Sequence, residues 1–219
     1  MTRLRVVPPA LLLALVLGAI PVPNSVGALA QGTCPPGVPS GVFCGERNIA
    51  HAEAGTYTID PDHAAVFARV SHIGYSYSVF RFDKVAGTLN WDPANVAGSK
   101  VTASVKTESI TSNVKGFASE LAGSAFLNAP RYPEITFAST AFRQAGATLG
   151  TIEGQLTLLG KTAPVTFDVT LIGAGKGFGG QPRIGIHATG WIKPQDFAMP
   201  VMFAEPIEIV MDIEFVRNK

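Results

Sequence analysis

Charged residues are scarce in this 219-residue chain, and neither sign dominates. Asp, Glu, Lys and Arg make up 15% of the sequence, and the formal net charge is +1. Nonspecific nucleic-acid binding requires a concentrated basic surface, so this composition disfavours a nucleic-acid partner. The hydrophobic fraction of 47%, in contrast, is ample for a folded core.

Cysteine is equally scarce, since Cys34 and Cys44 are the two in the chain. Both lie in 31–55, a segment rich in glycine and proline that lacks hydrophobic periodicity and is expected to be a flexible lead-in. An oxidising compartment would favour a local disulfide between them. A redox or metal pair is the alternative, although the spacing is not CxxC and His51 is the one nearby candidate ligand.

The motifs of common enzyme classes are also missing. The sequence contains no GxSxG nucleophile elbow, and the glycines near Gly177 are not followed by the Lys-Ser/Thr of a phosphate-binding loop. Strand alternation places Glu208 and Asp212 on an outward face, and it separates His63 from His72, nine positions later, onto opposite faces. We therefore predict no catalytic site, no metal site and no cofactor.

The first thirty residues show the order of parts expected of a secretory signal peptide. Arg3 and Arg5 precede an apolar run over 10–20, and Ala28-Leu29-Ala30 supplies a small-x-small cleavage site. The run is too short for a comfortable membrane span. We expect 1–30 to be removed after Ala30 and the mature protein to be periplasmic; an uncleaved membrane anchor is the alternative.

From about residue 56 onward, apolar and polar residues alternate in short segments, which is typical of strands with one buried face. Eight such segments lie around 66–70, 79–91, 101–105, 135–137, 152–158, 165–171, 184–189 and 207–215. One helix is predicted between Asn113 and Leu127, because Phe117, Leu121 and Ala125 recur at fourfold spacing and Asn113 could cap its start.

This arrangement of elements predicts an all-β fold. Helices do not alternate with the strands, which excludes a parallel α/β sheet, and the short connections at 159–162 and 174–180 make neighbouring strands antiparallel. Eight antiparallel strands in about 160 residues can close into a barrel with room for side chains or one slender ligand. An immunoglobulin-like sandwich is the structural alternative.

A series of motifs runs in order through the strand-forming part of the chain. They include Tyr57-Thr-Ile-Asp60, the stretch from His63 to Ser76, Tyr132-Pro-Glu-Ile-Thr-Phe137 and Gly154-Gln-Leu-Thr-Leu-Leu-Gly160-Lys-Thr162. Together they resemble the YceI-like family of exported polyisoprenoid-binding proteins. The resemblance implies that 56–219 forms an eight-stranded antiparallel lipocalin-like barrel with one short helix in a connection. It also implies an interior tunnel for a polyprenyl or quinone-like lipid, and no catalytic residues.

Contacts to such a lipid tail would come from apolar residues expected to point inward. These are Val66, Phe82, Val105, Phe137, Leu156, Phe167, Ile186, Trp191 and Met211. Headgroup selection would fall to residues at the tunnel mouth, for which the candidates are Arg69, Arg81, Lys84, Arg131 and Lys193. The predicted helix departs from the family pattern, since Phe117, Ala118 and Ala122 stand where relatives carry charges. This more apolar lid suits an uncharged lipid.

The expected function is therefore that of a periplasmic binding protein, which holds a long isoprenoid lipid as carrier or store and touches membranes transiently for exchange. The alternative is a stress-related structural or interaction barrel without a ligand. A carrier requires a continuous void along the barrel axis, whereas the alternative has a filled core. The sequence leaves the oligomeric state open, a homodimer included.

Overall fold

The computed structural model describes residues 34–39, 42–177 and 179–219. These residues contain ten strands and one short α-helix, in the order β1 (Gly55–His72), β2 (Ser76–Phe82), β3 (Val85–Trp91), β4 (Lys100–Lys106), β5 (Ile110–Thr111), α1 (Phe117–Ala122), β6 (Glu134–Gln144), β7 (Leu149–Leu158), β8 (Lys161–Lys176), β9 (Pro182–Ile192) and β10 (Ile207–Arg217). Within these ranges no helix is long and apolar enough to span a bilayer. The expected signal peptide, 1–30, lies outside the described residues.

The ten strands occupy eight positions around a closed antiparallel barrel. On one side, β1 pairs with two neighbours in turn, because β3 pairs with 55–58 and β2 pairs with 66–72. β2 and β3 thus act as one bent strand, and β5 continues β4 beyond the 3-10 turn Thr107–Ser109. The predicted eight-stranded antiparallel barrel is confirmed.

The barrel closes where β1 pairs with β10. The register runs from Tyr57 opposite Arg217 to Arg69 opposite Glu208, with an irregularity between Ile59 and Ala64. Pro61 falls in this irregular stretch, where a residue without an N–H does not break the ladder. Closure of this kind leaves the main ring without an unpaired sheet edge.

The two ends of the barrel differ. The upper end carries the β1–β2 turn, α1 with its following loop, the β7–β8 turn and the connection between β9 and β10. The lower end carries the β3–β4, β6–β7 and β8–β9 connections and the segment that precedes β1. Side chains of the inward faces form one hydrophobic core cluster between these ends.

α1 is shorter than the apolar spacing predicts. It spans Phe117–Ala122, and its N-cap position is Gly116 in a left-handed conformation (φ 82°) rather than Asn113. The chain turns at Gly123, so that the Leu127 N–H donates to the Leu121 carbonyl instead of continuing the helix. Glycine at both ends therefore limits the helix to less than two turns.

The segment before β1 is held more tightly than its composition predicts. Cys34 and Cys44 form a disulfide, with 5.4 Å between their Cα atoms, as expected. Glu46 exchanges two backbone hydrogen bonds with Ala174 of β8, of 2.9 and 2.8 Å. From Glu46 onward this part of the chain is therefore docked against the barrel wall.

Candidate functional site: an apolar tunnel

A cavity occupies the upper half of the barrel interior. Its volume is about 160 Å³. Its wall is apolar apart from Ser104 and Thr136, which are partners on β4 and β6. Such a space offers an apolar ligand close contact on all sides, and it provides few partners for a polar one.

Eight of the nine residues expected to point inward do line this cavity. They are Val66, Phe82, Val105, Phe137, Leu156, Phe167, Ile186 and Met211. They come from β1, β2, β4, β6, β7, β8, β9 and β10, so that every position of the barrel contributes to the wall. Alternation along each strand is the sequence signal that located them.

The expectation for Trp191 is wrong, because its side chain lies on the outer surface and is 53% exposed. On β9, Ile184, Ala188 and Ile192 are buried and Ile186 lines the cavity, which places even-numbered positions inside. Trp191 has the opposite parity and stands beside Glu208 on the outer face. Its large apolar ring favours burial, but the alternation of side chains along β9 places it on the outer face of the sheet.

Two connections cover the upper end of the cavity. α1 and the loop after it contribute Leu121, Phe126 and Leu127, and the β9–β10 connection contributes Met199 and Phe203. The rings of Phe126 and Phe203 meet edge to face, with 6.0 Å between centroids, so the two connections touch. These lid residues from the β9–β10 connection were missed, since an irregular loop carries no periodic signal.

α1 presents an apolar surface to the barrel rather than a charged one. Phe117 packs on Phe80 of β2, with 5.9 Å between the ring centroids, and Leu121 is 3% exposed. Aromatic pairs in this arrangement add to the stability of the packing beyond the area that they bury. The lid is therefore anchored to the wall by hydrophobic contacts.

A second cavity of about 110 Å³ lies toward the lower end. It shares Val101, Ile152, Val169, Ile186 and Phe215 with the wall of the upper cavity, so the two spaces follow one another along the barrel axis. The shared residues lie between the two spaces. Trp91, Val96 and the β6–β7 connection enclose the lower space, together with Ile49 from the segment before β1.

Most of the candidate headgroup residues already have partners on the protein. Arg69 forms an ion pair with Glu208 and stacks on Tyr77 at 4.8 Å. Arg81 pairs with Asp83 at 2.9 Å, and Lys84 pairs with Glu108 at 3.2 Å. Arg131 lies over the ring of Tyr132 at 5.3 Å, and Lys193 is exposed.

The outer face of the β1–β10 seam carries a charged network. Arg183 bonds both Asp60, at 2.8 Å, and Glu214, and His63 Nδ1 lies 3.0 Å from the same Asp60 carboxylate. Burial alone would raise the pKa of Asp60, but the hydrogen bonds from Arg183, His63 and the Asp62 N–H outweigh it and hold that pKa below its ordinary value. The network joins the strands that close the barrel.

The other histidine of this face makes a second pair. His187 Nδ1 on β9 lies 2.8 Å from the Asp212 carboxylate on β10. The two residues are directly opposite each other in the ladder. Within the described ranges, no three His, Cys, Asp or Glu side chains are grouped closely enough to hold a metal ion. These polar groups lie on the outside of the barrel, away from the cavity wall.

Comparison with known sequences places the barrel in a family. The model of the YceI-like domain matches residues 57–215. A UPF0312 protein of Pseudomonas putida strain W619 is 36% identical over 176 residues, covering 78% of this chain and 92% of that protein. Protein YceI of Escherichia coli strain UMN026 is also 36% identical, over 77% of this chain and 90% of its own length. The names of these relatives describe no enzyme.

Solved structures show the same fold. BcnA of Burkholderia cenocepacia superposes with a TM-score of 0.63 at 24% identity, over 71% of this chain and 98% of its own. A polyisoprenoid-binding domain from Saccharophagus degradans, implicated in plant cell wall breakdown, gives 0.54 at 11% identity, over 74% and 98%. From the family match and the 36% identity to full-length relatives, we conclude that the chain belongs to the YceI-like family.

Proposed function

We propose that this protein holds the apolar tail of a long isoprenoid lipid inside the barrel, as a carrier or store, without catalysing a reaction. The observation that carries the proposal is the apolar cavity along the barrel axis. Burial of one five-carbon isoprene unit contributes roughly 3 kcal/mol or more, at about 0.8 kcal/mol per CH₂. A few units therefore outweigh an association cost of about 4 to 15 kcal/mol.

The lid favours a lipid with an uncharged headgroup. Phe117, Leu121 and Phe126 face the upper end of the tunnel or pack beside it, and Arg69, Arg81 and Lys84 are engaged by carboxylates. A pyrophosphate would need cations that are not already paired, and of the five candidates in the described residues only Arg131 and Lys193 have no carboxylate partner. A polyprenol or a quinone-like molecule therefore fits the apolar lid and its paired cations better than a polyprenyl pyrophosphate does.

Exchange of the lipid requires contact with a membrane, and the β1–β2 turn is suited to it. Ile73 and Tyr75 are 82% and 87% exposed at the upper end, and Val201 of the β9–β10 connection is 93% exposed. Ile73 has φ 54°, a left-handed conformation that β-branched residues rarely adopt. Asn or Gly is the usual residue at such a turn position. An exposed isoleucine at this position supports insertion of the turn into a lipid surface.

The proposed location is the periplasm. The order of charge, apolar run and cleavage site in 1–30 supports export, and the Cys34–Cys44 disulfide is typical of proteins in oxidising compartments. Fractionation of the producing bacterium, with mass measurement of the purified chain, tests both points. Cleavage after Ala30 is the expected result, and an intact N-terminus in the membrane fraction would contradict it.

Organic extraction of the purified mature protein, followed by mass spectrometry, tests the binding function. An isoprenoid lipid should be found, and added polyprenol should raise the melting temperature of protein from which lipid has been removed. If extraction yields no lipid and polyprenol leaves the melting temperature unchanged, the carrier function is rejected. The ligand-free structural barrel would then be preferred.

A pair of variants on β9 connects binding to the cavity. Ala188 lines the cavity and is 2% exposed, whereas its neighbour Thr189 has the opposite parity and does not line the wall. Ala188→Phe should fill part of the tunnel and reduce bound lipid strongly, while Thr189→Phe should leave it unchanged. Equal lipid content in both folded variants would place the ligand elsewhere.

A further inference from the structure

The lower cavity is closed by a segment that lies outside the family match. The YceI-like domain begins at residue 57, whereas Ile49, which lines the lower cavity, belongs to the 3-10 turn Ile49–His51 before it. We call residues 45–54 the floor segment. The floor segment is not one of the strands of the barrel, so other contacts hold it in place.

Glycines on both sides let the floor segment approach the wall closely. A Cβ on Gly45 would lie 3.3 Å from the Cα of Gly173, and a Cβ on Gly173 would lie 3.1 Å from the Cα of Gly45. Gly173 follows a register irregularity in β8. A methyl group at either position would press on the opposite backbone, and a branched side chain such as valine would push the two backbones further apart and weaken the two hydrogen bonds between Glu46 and Ala174.

The other end of the floor segment is fastened to the barrel rim. Trp91 Nε1 donates to the Ala52 carbonyl at 3.0 Å, and the Tyr57 hydroxyl donates to the Glu53 carbonyl at 2.6 Å. Arg217 of β10 pairs with the Glu53 carboxylate at 2.8 Å. Ala52 itself is 1% exposed. The segment is therefore held at both ends, with Ile49 between them facing the cavity.

We propose that the floor segment limits the length of the isoprenoid tail that the tunnel accepts, with Ile49 as the residue that the tail end meets. This inference rests on the proposed lipid-binding function. A tail that enters at the upper end and passes between the residues shared by both cavities, Phe215 among them, reaches the lower cavity. Isoprene units beyond that point have no space in the barrel, so they stay in water and add nothing to affinity.

Competition between polyprenols of different length tests the inference on the full mature chain. Linear polyprenols with four, eight and eleven isoprene units are titrated into lipid-free protein. Ile49→Ala should deepen the lower cavity, and Gly45→Val should displace the floor segment. Both variants should raise the affinity for the longest polyprenol relative to the shortest by about tenfold or more. Ile49→Trp should shift the preference toward the shortest.

Phe43→Ser is the matched control, since Phe43 precedes the floor segment, is 58% exposed and does not line the lower cavity. It should keep the wild-type order of affinities. If wild-type protein binds none of the polyprenols, the proposed function itself fails. If wild-type protein binds them and all variants keep the same order, the lipid-binding function stands and the length limit is overturned. Should Gly45→Val not fold, the two Ile49 variants decide the question.

Discussion

Phe137 and Phe167 meet edge to face inside the barrel, with 5.2 Å between their centroids and 81° between their planes. Each ring covers a glycine on a neighbouring strand. A Cβ on Gly154 would fall 2.3 Å from Phe137, and a Cβ on Gly190 would fall 2.6 Å from Phe167. The wall of the upper cavity is therefore shaped by two glycines that admit two rings.

Gly154→Ala should destabilise the protein by about 1 to 3 kcal/mol, because the new methyl group collides with the Phe137 ring and with the Ala138 carbonyl. Chemical denaturation measures the loss. Gly146→Ala is the control, since a Cβ there would meet one atom, at 3.9 Å. Equal unfolding midpoints for the two variants would show that the ring packing is more adaptable than the geometry indicates.

Ile73→Asn should change stability and membrane contact in opposite directions. Asparagine tolerates the left-handed conformation of Ile73, so the free energy of unfolding should rise by about 1 kcal/mol. Loss of the exposed side chain should weaken binding to phosphatidylcholine vesicles in a sedimentation assay. Vesicle binding equal to that of the wild type would exclude the β1–β2 turn as the contact.

The two tryptophans should report differently on a bound tail. Trp91 lines the lower cavity, whereas Trp191 is on the outer surface. In the Trp191→Phe variant, a polyprenol with a brominated tail end should quench most of the remaining fluorescence. In the Trp91→Phe variant the same lipid should leave the emission nearly unchanged. Similar quenching in both would mean that the tail does not reach the lower cavity.

Asp60 should make the protein more sensitive to acid. Its pKa is lower in the folded state than in the unfolded chain, so its contribution to stability is complete above about pH 4. It is lost as the pH falls through the folded-state pKa. Asp60→Asn should therefore show a smaller fall in melting temperature between about pH 6 and about pH 3 than the wild type. Asp62→Asn, at an exposed neighbouring position, should retain the wild-type fall.

Alternation of residue types was sufficient to predict the barrel and most of its inner wall, because the pleat makes every second side chain face inward. The same rule, applied to Trp191, would have placed it outside. Its size was given more weight than its parity, although Ile184 and Ile186 already defined the inner face of β9. A periodic signal is therefore more reliable than residue type for a position inside a clear strand.

Features that depend on contacts between distant parts of the chain could not be predicted in this way. Gly45 and Gly173 are far apart in sequence, and nothing in the composition of 31–55 indicates that the two backbones meet. The lid contact between Phe126 and Phe203 joins two irregular connections, neither of which has periodicity. The apolar spacing predicted a longer helix than α1, because it took no account of Gly116 and Gly123, which end the helix on either side.

The pairing of β1 with β10 also bears on when the proposed lipid could enter the barrel. β10 follows the nine other strands in chain order and completes the wall of the cavity, to whose lining it contributes Ile207, Ile209, Met211, Ile213 and Phe215. Until β10 pairs with β1, the barrel is not closed and its apolar interior is exposed to water. Such a long-range pairing forms slowly compared with a local hairpin. Under the proposed function, lipid capture is thus a property of the finished ring, and a nascent chain in which the eleven residues of β10 are not yet made has no enclosed space to offer.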